Sequence, residues 1–429
     1  MRILVLGAAV SGMAAARLAR SLGYSVTVYD RNPEPLTPML AEGIGTVSGA
    51  WYGDVLDGVD LVVTSPGFPE RSQPIVEALE RRLPLVSEVE FAWARLERPT
   101  VAVTGTNGKT TVTTVIADML VASGVRAAAL GNIGAALSDA VLDPPDVAVV
   151  EVSSFQLRFI DKFRPDVAVV INVAPDHLDW HGSFGAYWAA KARIVENQGP
   201  DDVVIFDADE EEAARIGARS PGRRLSFSSS APADATLGAS ALSLPGLSIP
   251  LSRLQVGDQA FRTDLALAGL AALEMGATPA AIEAVATAFT PGVHRRTLVG
   301  SFRGAAFVND SKATNPHAAL AAIRSYPSVV LIAGGLAKGL DVAPLAGEPN
   351  LRAVIGIGEA GPGLVAAAGE LGRHAESMEE AVSIAADVAE PGDTVLLAPG
   401  CASFDMFDDY KHRGDAFSAA VSTIIGARV

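Results

Sequence analysis

The chain has 429 residues, which is long for one domain and suggests about three. Its formal net charge of −16 argues against broad binding to nucleic acids or anionic membranes, because such binding needs many contacts from lysine and arginine. A single cysteine, Cys401, excludes an internal disulfide and suits a cytoplasmic protein, and no run of about 18 apolar residues predicts a membrane span.

The first predicted unit, residues 1–98, begins with a βαβ pattern. An apolar strand at 3–6 leads into a glycine loop at 7–12, a helical segment follows, and the second strand ends at Asp30. The loop approximates the fingerprint that binds dinucleotides, and Asp30 occupies the position of a ribose-binding acid. Because Ala9 replaces the middle glycine, where the backbone would approach a pyrophosphate closely, a nucleotide bound in another pose competes with a nicotinamide site.

A second glycine loop lies near the start of the second predicted unit, residues 99–290. A β-branched strand at 101–104 leads into GTNGKTT at 105–111, and a helical pattern follows. The spacing is shorter than in the usual P-loop, whose first glycine is replaced here by Val103. Glycines let backbone N–H groups turn towards an anion, the helix presents its positive end, and Lys109 adds a point charge. The loop therefore predicts a phosphate site, in preference to an ordinary βα turn.

Acidic and histidine side chains follow the neighbouring strands of the second unit. Glu151 interrupts a buried, valine-rich run, and we expect it to hold Mg²⁺ on nucleotide phosphates together with the Thr110 hydroxyl. Four more such side chains follow the next apolar strand: Asp176, His177, Asp179 and His181. No cysteine accompanies them, which argues against a structural zinc site. The cluster predicts contacts to a metal or a substrate.

Lysine is rare in this chain, with six among 33 basic residues. A position that keeps lysine in an arginine-biased sequence suggests a need for a compact charge or a reactive amine. Lys191 lies one helical turn after Tyr187, where a solvated helix lysine is the ordinary interpretation.

The rest of the chain continues the α/β pattern. Beyond about residue 215, short alternating segments at 242–244 and 247–249 predict a small peripheral set of strands. The third predicted unit, residues 291–429, has strands at 306–309, 329–333, 353–357 and 394–398, each ending in a polar or glycine-rich segment. Ligands of doubly wound sheets bind outside the carboxyl ends of the strands. Since all three units have unusual residues there, the sequence predicts one composite site between domains.

Together these motifs resemble those of the Mur ligases, the ATP-dependent amino-acid ligases of peptidoglycan precursor synthesis. GTNGKTT, GNIG at 131–134, EVSSFQL at 151–157, PDHLD at 175–179 and YWAAKARI at 187–194 occur in the family's order. The resemblance covers nearly the whole chain. It implies three α/β domains: a Rossmann-like N-terminal domain, a central P-loop-type ATPase domain and a Rossmann-like C-terminal domain.

Segments of the third unit resemble the family members that add D-glutamate: HRR at 294–296, NDSKATNP at 309–316 and PGCASFDMFDDYKHRGDAF at 399–417. The resemblance implies that ATP phosphorylates the alanine carboxylate of UDP-N-acetylmuramoyl-L-alanine. The amine of D-glutamate then displaces phosphate. It further implies two Mg²⁺ ions, and we expect a cytoplasmic monomer with no nucleic-acid partner and no membrane span.

The resemblance also assigns site residues. The catalytic set comprises Lys109, Glu151, His177 and Lys191; Thr110 and Glu151 would hold one Mg²⁺, while His177 and a carbamylated Lys191 would serve the second. ATP would contact Gly105, Thr106, Asn107, Gly108, Lys109, Thr110, Thr111, Asp264, Arg295, Asp310 and Lys312. The UDP substrate would contact Val10, Ser11, Asp30, Arg31, Ser65, Pro66, Gly67, Asn132 and Gln156. D-Glutamate would contact Thr314, Lys338, Ser403, Phe404 and Tyr410.

Two segments depart from the family pattern. QAFRTD at 259–264 replaces a His-Asn pair and a further asparagine, for one of which Asp264 stands in, and Ala337 occurs where an acidic residue is common. Three alternatives therefore remain open. They are a nicotinamide-dependent oxidoreductase, a P-loop regulatory ATPase, and a related Mur ligase or folylpolyglutamate synthase-like ligase that adds another amino acid.

Overall fold

Three β-sheets with flanking helices are found in the computed structural model of the protein, which describes residues 1–426. The first sheet is parallel throughout and has the order β3-β2-β1-β4-β5. Its strands are β1 Arg2–Leu6, β2 Ser25–Asp30, β3 Gly45–Ser48, β4 Leu61–Thr64 and β5 Leu85–Ser87. Its helices are α1 Val10–Ser21, α2 Thr37–Ala41, α3 Gln73–Glu80 and α4 Glu88–Leu96.

The second sheet has the order β14-β13-β12-β11-β10-β9-β6-β8-β7. Its strands are β6 Thr100–Thr104, β7 Ala127–Gly131, β8 Val147–Glu151, β9 Val167–Val170, β10 Val203–Asp207, β11 Arg223–Ser228, β12 Ala235–Leu237, β13 Ala241–Leu244 and β14 Leu247–Pro250. Its helices are α5 Lys109–Ala122, α6 Ser154–Arg158, α7 Leu178–His181, α8 Phe184–Ala192, α9 Glu211–Gly217, α10 Gln259–Glu274 and α11 Pro279–Ala288. The short strands expected at the periphery, β13 and β14, form one edge of this sheet and are joined to it through β12, which pairs in parallel with β11.

The third sheet has the order β15-β16-β20-β17-β18-β19, with only β15 antiparallel to its neighbour. Its strands are β15 Thr297–Phe302, β16 Ala305–Asn309, β17 Val329–Gly334, β18 Leu351–Ile357, β19 Gly372–His374 and β20 Thr394–Leu397. Its helices are α12 Pro316–Ile323, α13 Gly361–Ala368, α14 Met378–Val388 and α15 Tyr410–Gly426. No helix within residues 1–426 is both long and apolar enough to cross a membrane.

The described chain divides into two compact units. The first unit comprises residues 1–173, 180–257 and 261–289, and contains the first two sheets. The second unit comprises residues 174–179, 258–260 and the chain from 290 onwards, and contains the third sheet. The finer division at residues 98 and 290 into three domains stays a prediction.

A continuous apolar cluster joins the first two sheets. It includes Val5 and Val63 of the first sheet, Phe91 of α4, and Val150 and Val170 of the second sheet. Strands β6 and β8 are buried at every residue, as expected for interior strands that have parallel neighbours on both sides and are covered on both faces. Burial of this apolar surface explains why the two sheets belong to one unit.

Two buried carboxylates of α4 also bind the second sheet's connections. Glu90 accepts backbone N–H bonds from Asp161, Lys162 and Phe163. Oε1 of Glu88 accepts a 2.7 Å bond from the Ser138 amide, while Oε2 is buried without a hydrogen-bond partner. Burial raises the pKa of Glu88 to about 7.

Capping residues and a glycine define where four helices that carry or adjoin predicted site residues begin. Ser153, Ser183 and Asn315 precede α6, α8 and α12, and each side chain accepts a backbone N–H from the first helical turn. Helix α5 begins after Gly108, whose φ of +83° is left-handed. A Cβ at Gly108 would lie 2.5 Å from Oδ1 of Asp264, so both backbone conformation and space require glycine here.

Candidate active site

The loop between β6 and α5 is held against the end of β9. The amide of Thr106 donates to the backbone oxygen of Asn172 at 2.9 Å, and the amide of Asn107 donates to the Asn172 side chain at 2.9 Å. Asp264 is buried and lies next to Gly108. These contacts define the shape of the loop around the start of α5, where helix N–H groups favour an anion.

Two lysines bind the same backbone oxygen of this loop. Nζ of Lys109 donates to Gly105 O at 2.7 Å and to Thr106 O at 2.8 Å. Nζ of Lys191 also donates to Gly105 O at 2.7 Å, and its side chain is 1% exposed. Two positive charges within a few ångströms of each other favour the binding of a polyanion.

Oxygen ligands for a divalent cation lie beside the lysines. Glu151, at the carboxyl end of β8, is 2% exposed; its Oε2 accepts the Thr110 hydroxyl at 2.9 Å and its Oε1 accepts Nδ2 of Asn132 at 3.0 Å. No cluster of three or more His, Cys, Asp or Glu side chains within residues 1–426 could hold a metal by itself. A hydroxyl and a carboxylate fit Mg²⁺ shared with phosphate oxygens and water, which is how this ion is usually bound.

Tyr187 lies against this loop, whereas His181, one of the four side chains of the predicted metal or substrate cluster, lies beside α6. The Tyr187 hydroxyl lies 3.0 Å from Oγ1 of Thr106, and its ring centroid lies 4.8 Å from Nζ of Lys191. Nε2 of His181 lies 3.0 Å from Oγ of Ser154, and its ring stacks on Phe155. The i, i+4 spacing of Tyr187 and Lys191 on α8 was the only signal for the tyrosine.

Gln156 carries an unused donor in the same unit. Its Oε1 accepts both the amide and the hydroxyl of Ser153 at 2.9 Å. Its Nε2 is buried and has no hydrogen-bond partner. A buried amide without a partner is costly unless a ligand satisfies it, so this donor suits a carbonyl or hydroxyl of a bound molecule.

The first sheet has its own glycine loop, between β1 and α1. Oδ2 of Asp30 accepts the Ala8 amide at 2.9 Å, and its Oδ1 accepts the Asn32 amide at 3.0 Å. The Ser65 hydroxyl donates to Leu6 O at 2.8 Å. The other predicted contacts at this edge are Val10, which is 59% exposed, together with Ser11, Arg31, Pro66 and Gly67, all at least partly exposed.

His177 lies in the second unit. Its φ is +52°, its amide donates to Oδ1 of Asp176 at 2.8 Å, and its Nε2 lies 3.8 Å from Oδ2 of the same residue. The Asp176 carboxylate also accepts Nδ2 of Asn315 at 3.1 Å. Asp176 therefore has structural partners, while Asp179 is exposed.

Arg296, rather than Arg295, makes the ion pairs of the HRR segment. It pairs with Asp258, and its Nε lies 3.6 Å from Oδ2 of Asp310. Burial raises the pKa of Asp310 to about 6, and the two arginines oppose the rise. Nζ of Lys312 lies 3.9 Å from the ring centroid of Tyr410, which is a cation–π contact.

The residues predicted to bind the amino acid lie on loops at the carboxyl edge of the third sheet. Leu336 and Ala402 exchange two backbone hydrogen bonds, of 2.9 and 3.0 Å. Near this pair, Nζ of Lys338 lies 5.5 Å from the ring centroid of Phe404, which is 64% exposed. Ser403 is buried and Thr314 is partly exposed.

Family models match most of the chain. They describe a Mur ligase MurD-like N-terminal domain at residues 1–87, a Mur ligase middle domain at 103–272 and a Mur ligase glutamate ligase domain at 294–401. A UDP-N-acetylmuramoylalanine–D-glutamate ligase from Frankia casuarinae is 42% identical, with 98% of this chain and 93% of the relative covered. The enzyme of the same name from Pelotomaculum thermopropionicum is 38% identical, with 99% and 98% covered.

The chain belongs to the Mur ligase family.

Solved Mur ligase structures share its fold. The MurF ligase of Thermotoga maritima in complex with ADP has a TM-score of 0.65 at 15% identity, covering 94% of this chain and 96% of that one. The UDP-N-acetylmuramate–alanine ligase of Thermotoga maritima has a TM-score of 0.62 at 18% identity over the whole of both chains. The expected α/β Mur ligase architecture is therefore confirmed. As a Mur ligase, the protein is an ATP-dependent enzyme that forms amide bonds.

Proposed function

We propose that this Mur ligase joins D-glutamate to UDP-N-acetylmuramoyl-L-alanine, with conversion of ATP to ADP and phosphate, in peptidoglycan precursor synthesis. The observation that carries the proposal is the near full-length similarity to two ligases whose names state D-glutamate as the added amino acid. The Lys109 ammonium, bound to Gly105 O and Thr106 O at the start of α5, supports the ATP-dependent step.

The chemical problem is to bring a carboxylate to an already anionic phosphate. Lys109 would offset triphosphate charge, and the supporting observation is that its ammonium is bound to Gly105 O and Thr106 O of the loop that precedes α5. Thr110 and Glu151 would hold Mg²⁺, which when bound neutralises phosphate oxygens. The substrate carboxylate attacks the γ-phosphorus, ADP leaves, and the amine of D-glutamate then attacks the acyl phosphate and releases phosphate.

Lys191 is proposed to act as a carbamate. Addition of CO₂ to its neutral amine forms an N–C bond and releases one proton to solvent. The resulting carbamate anion would hold a second Mg²⁺, whereas the ammonium would repel the ion. The carbamate nitrogen keeps one N–H, so the bond to Gly105 O can persist. His177, in the second unit, is proposed as a further contact of the second ion.

Ligand contacts are proposed for the remaining predicted residues. Asn132 and Gln156 would contact the sugar–alanine part, for which the unpartnered Nε2 of Gln156 is the supporting observation. Asp30 and its neighbours at the first sheet's edge would contact the UDP part. Lys338, Phe404 and the adjoining loops would contact D-glutamate. The cytoplasmic location and monomeric state remain predictions.

Phosphate release tests the proposal. The full chain, ATP, Mg²⁺ and UDP-N-acetylmuramoyl-L-alanine are combined with each of a panel of amino acids, and phosphate, ADP and product mass are measured. We expect stoichiometric phosphate, ADP and amide with D-glutamate. Preference for another amino acid would support a related ligase, and hydrolysis without amide formation would support a regulatory ATPase. Tight NAD(H) binding without any ATP hydrolysis would support an oxidoreductase.

A further inference from the structure

Arg413 of α15 is an unusual interior residue. It is the largest fully buried side chain within residues 1–426, with 1% of its surface exposed. Burial lowers the pKa of its guanidinium to about 10, so it stays protonated at neutral pH. A buried charge is costly unless hydrogen bonds or an opposite charge compensate it.

Neutral oxygens of two segments supply the hydrogen-bond acceptors of Arg413. Its Nε donates to Oγ of Ser311 at 3.0 Å, its Nη2 donates to Ser311 O at 2.9 Å, and its Nη1 donates to Cys401 O at 3.1 Å. Within residues 1–426 no carboxylate lies in ion-pair contact with it, although the charge of Asp405 acts at longer range and opposes the lowering of its pKa. The guanidinium therefore joins two chain segments by hydrogen bonds in a fixed geometry.

The bonded segments belong to loops at the carboxyl edge of the third sheet. Residues 309–315 follow β16 and residues 399–404 follow β20, and the Gly400 amide donates to Ala313 O at 2.9 Å. The loop at 335–339, which follows β17, is bonded to residues 399–404 through Leu336 and Ala402. A Cβ at Gly335 would lie 3.4 Å from Nη1 of Arg413, so this third loop passes directly over the guanidinium.

These three loops carry most of the contacts proposed for the amino acid: Thr314, Lys338, Ser403 and Phe404. The first loop also carries Asp310 and Lys312, which are predicted contacts of ATP. Arg413 itself is too buried to touch a substrate. Its effect on substrate binding must therefore act through the loops.

We propose that Arg413 is a positioning residue, which holds the three loops in the arrangement that binds the amino-acid substrate. The inference rests on the proposed function for the identity of that amino acid. Arginine is suited to the role because its planar group reaches three acceptors at once, which a lysine ammonium on a flexible stem does not reproduce.

The test compares Arg413→Lys and Arg413→Met with wild type in the full chain. Thermal unfolding by circular dichroism is measured first, then kcat and a separate KM for each substrate. We expect the folded Arg413→Lys variant to raise the KM for D-glutamate at least about tenfold, as expected for loss of charge-assisted hydrogen bonds. The KM for UDP-N-acetylmuramoyl-L-alanine should change less than about twofold, because its proposed contacts lie in the first unit.

Arg373→Met is the matched control. Arg373 lies in the same unit and also donates to two backbone oxygens, those of Glu370 and Gly372, but it is exposed and distant in sequence from the three loops. We expect unchanged KM values for this variant. A purely structural role of Arg413 would lower kcat through loss of active protein and leave every KM unchanged, and that result would overturn the proposal.

Two further arms keep the test decisive. If neither Arg413 variant folds, Ser311→Ala removes one acceptor of the guanidinium, and an unchanged amino-acid KM in that variant would overturn the proposal. If wild type uses another amino acid, the proposed function fails. The role of Arg413 is then tested by comparing the KM for that other amino acid between the Arg413 variants and wild type.

Discussion

The first unit contains two glycine loops that each follow a strand with a parallel neighbour on both sides, yet the charged side chains bound to the two loops differ in sign. In the loop between β1 and α1, the Ala8 amide is bound by the carboxylate of Asp30. In the loop between β6 and α5, Gly105 O receives two lysine ammonium groups. Similar βα topology thus produces one loop that is bound by a carboxylate, that of Asp30, and one that is bound by a retained ammonium, that of Lys109.

The difference shows that a glycine loop does not define its ligand by backbone alone. A carboxylate on a loop amide repels a phosphate at that position and suits a hydroxyl or an N–H of a ligand. Lysines with a neighbouring hydroxyl and carboxylate suit phosphate and Mg²⁺. The two loops can therefore serve different parts of the reaction, and substitutions should separate them.

The largest effect is expected from Lys109→Ala. Loss of the ammonium leaves the transferred phosphate without its cation, so kcat should fall about a thousandfold or more. Steady-state phosphate release measures the loss, and circular dichroism checks the fold. Lys162→Ala is the control, since Lys162 is an exposed lysine of the same unit and should keep wild-type activity. Near-normal turnover of Lys109→Ala would contradict the assignment of residues 105–111.

Lys191 variants should give the next largest effect. Lys191→Ala should lose about a hundredfold in activity, and added acetate should restore part of it by occupying the carbamate position. Lys191→Arg should stay inactive, because guanidinium keeps its charge and does not take up CO₂ in this role. Carbon-13 bicarbonate should give a carbamate NMR signal in wild type that both variants lack. An active arginine variant would show that Lys191 acts as an ordinary cation.

A smaller effect is expected at the first loop. Asp30→Asn removes the negative charge of the carboxylate that accepts the Ala8 amide. The KM for UDP-N-acetylmuramoyl-L-alanine should rise about tenfold, while the KM for ATP should not change. Asp60→Asn is the comparison, because Asp60 accepts a backbone amide, that of Arg2, in the same sheet but on an exposed surface. An equal rise in both KM values for Asp30→Asn would mean that the two loops are not separable.

The smallest effect on activity is expected from Glu88→Gln. Glu88 lies on α4 and its hydrogen bond to the Ser138 amide helps to join the first sheet's helix to a connection of the second sheet. The pKa of Glu88 is raised from 4.5 to about 7, so the folded state binds a proton more tightly than the unfolded state. The stability that this proton contributes to the folded state is fully present below about pH 4.5. It is lost as pH rises through about 7, which lowers the free energy of unfolding by about 3 kcal/mol. The glutamine variant does not show this decrease. Its free energy of unfolding relative to wild type, measured in urea, should rise across this pH range; a pH-independent difference would contradict the assignment.

Much of the fold followed from sequence pattern alone. The buried valine-rich runs predicted β6 and β8, and their parallel pairing brings Glu151 next to the loop that Lys109 follows. The α/β class and the family were predicted from motifs that occur in order along nearly the whole chain, and the family models and relatives confirmed both. The residue roles in ligand binding stay predictions.

What sequence could not provide depends on tertiary contacts. Arg295 and Arg296 are adjacent and chemically equal, and only the folded backbone, with φ of +51° at Arg296, selects which one pairs with Asp310. Arg413 looks like an ordinary helix arginine until its acceptors, as far as 102 positions away in sequence, are known. The bond between Asp176 and Asn315 spans 139 positions, beyond any local pattern.

The second unit is assembled from three separate stretches of chain, and this limits how it can be cut out as a gene fragment. A fragment that begins at Thr290 would omit residues 174–179 and 258–260, which belong to the same unit. In such a fragment, Arg296 would lack its ion pair with Asp258, and Asn315 would lack its hydrogen bond to the Asp176 carboxylate. A mostly buried arginine would then lack one of its counter-charges. Exchange of this region between related enzymes therefore requires the two short donor segments to be transferred with it.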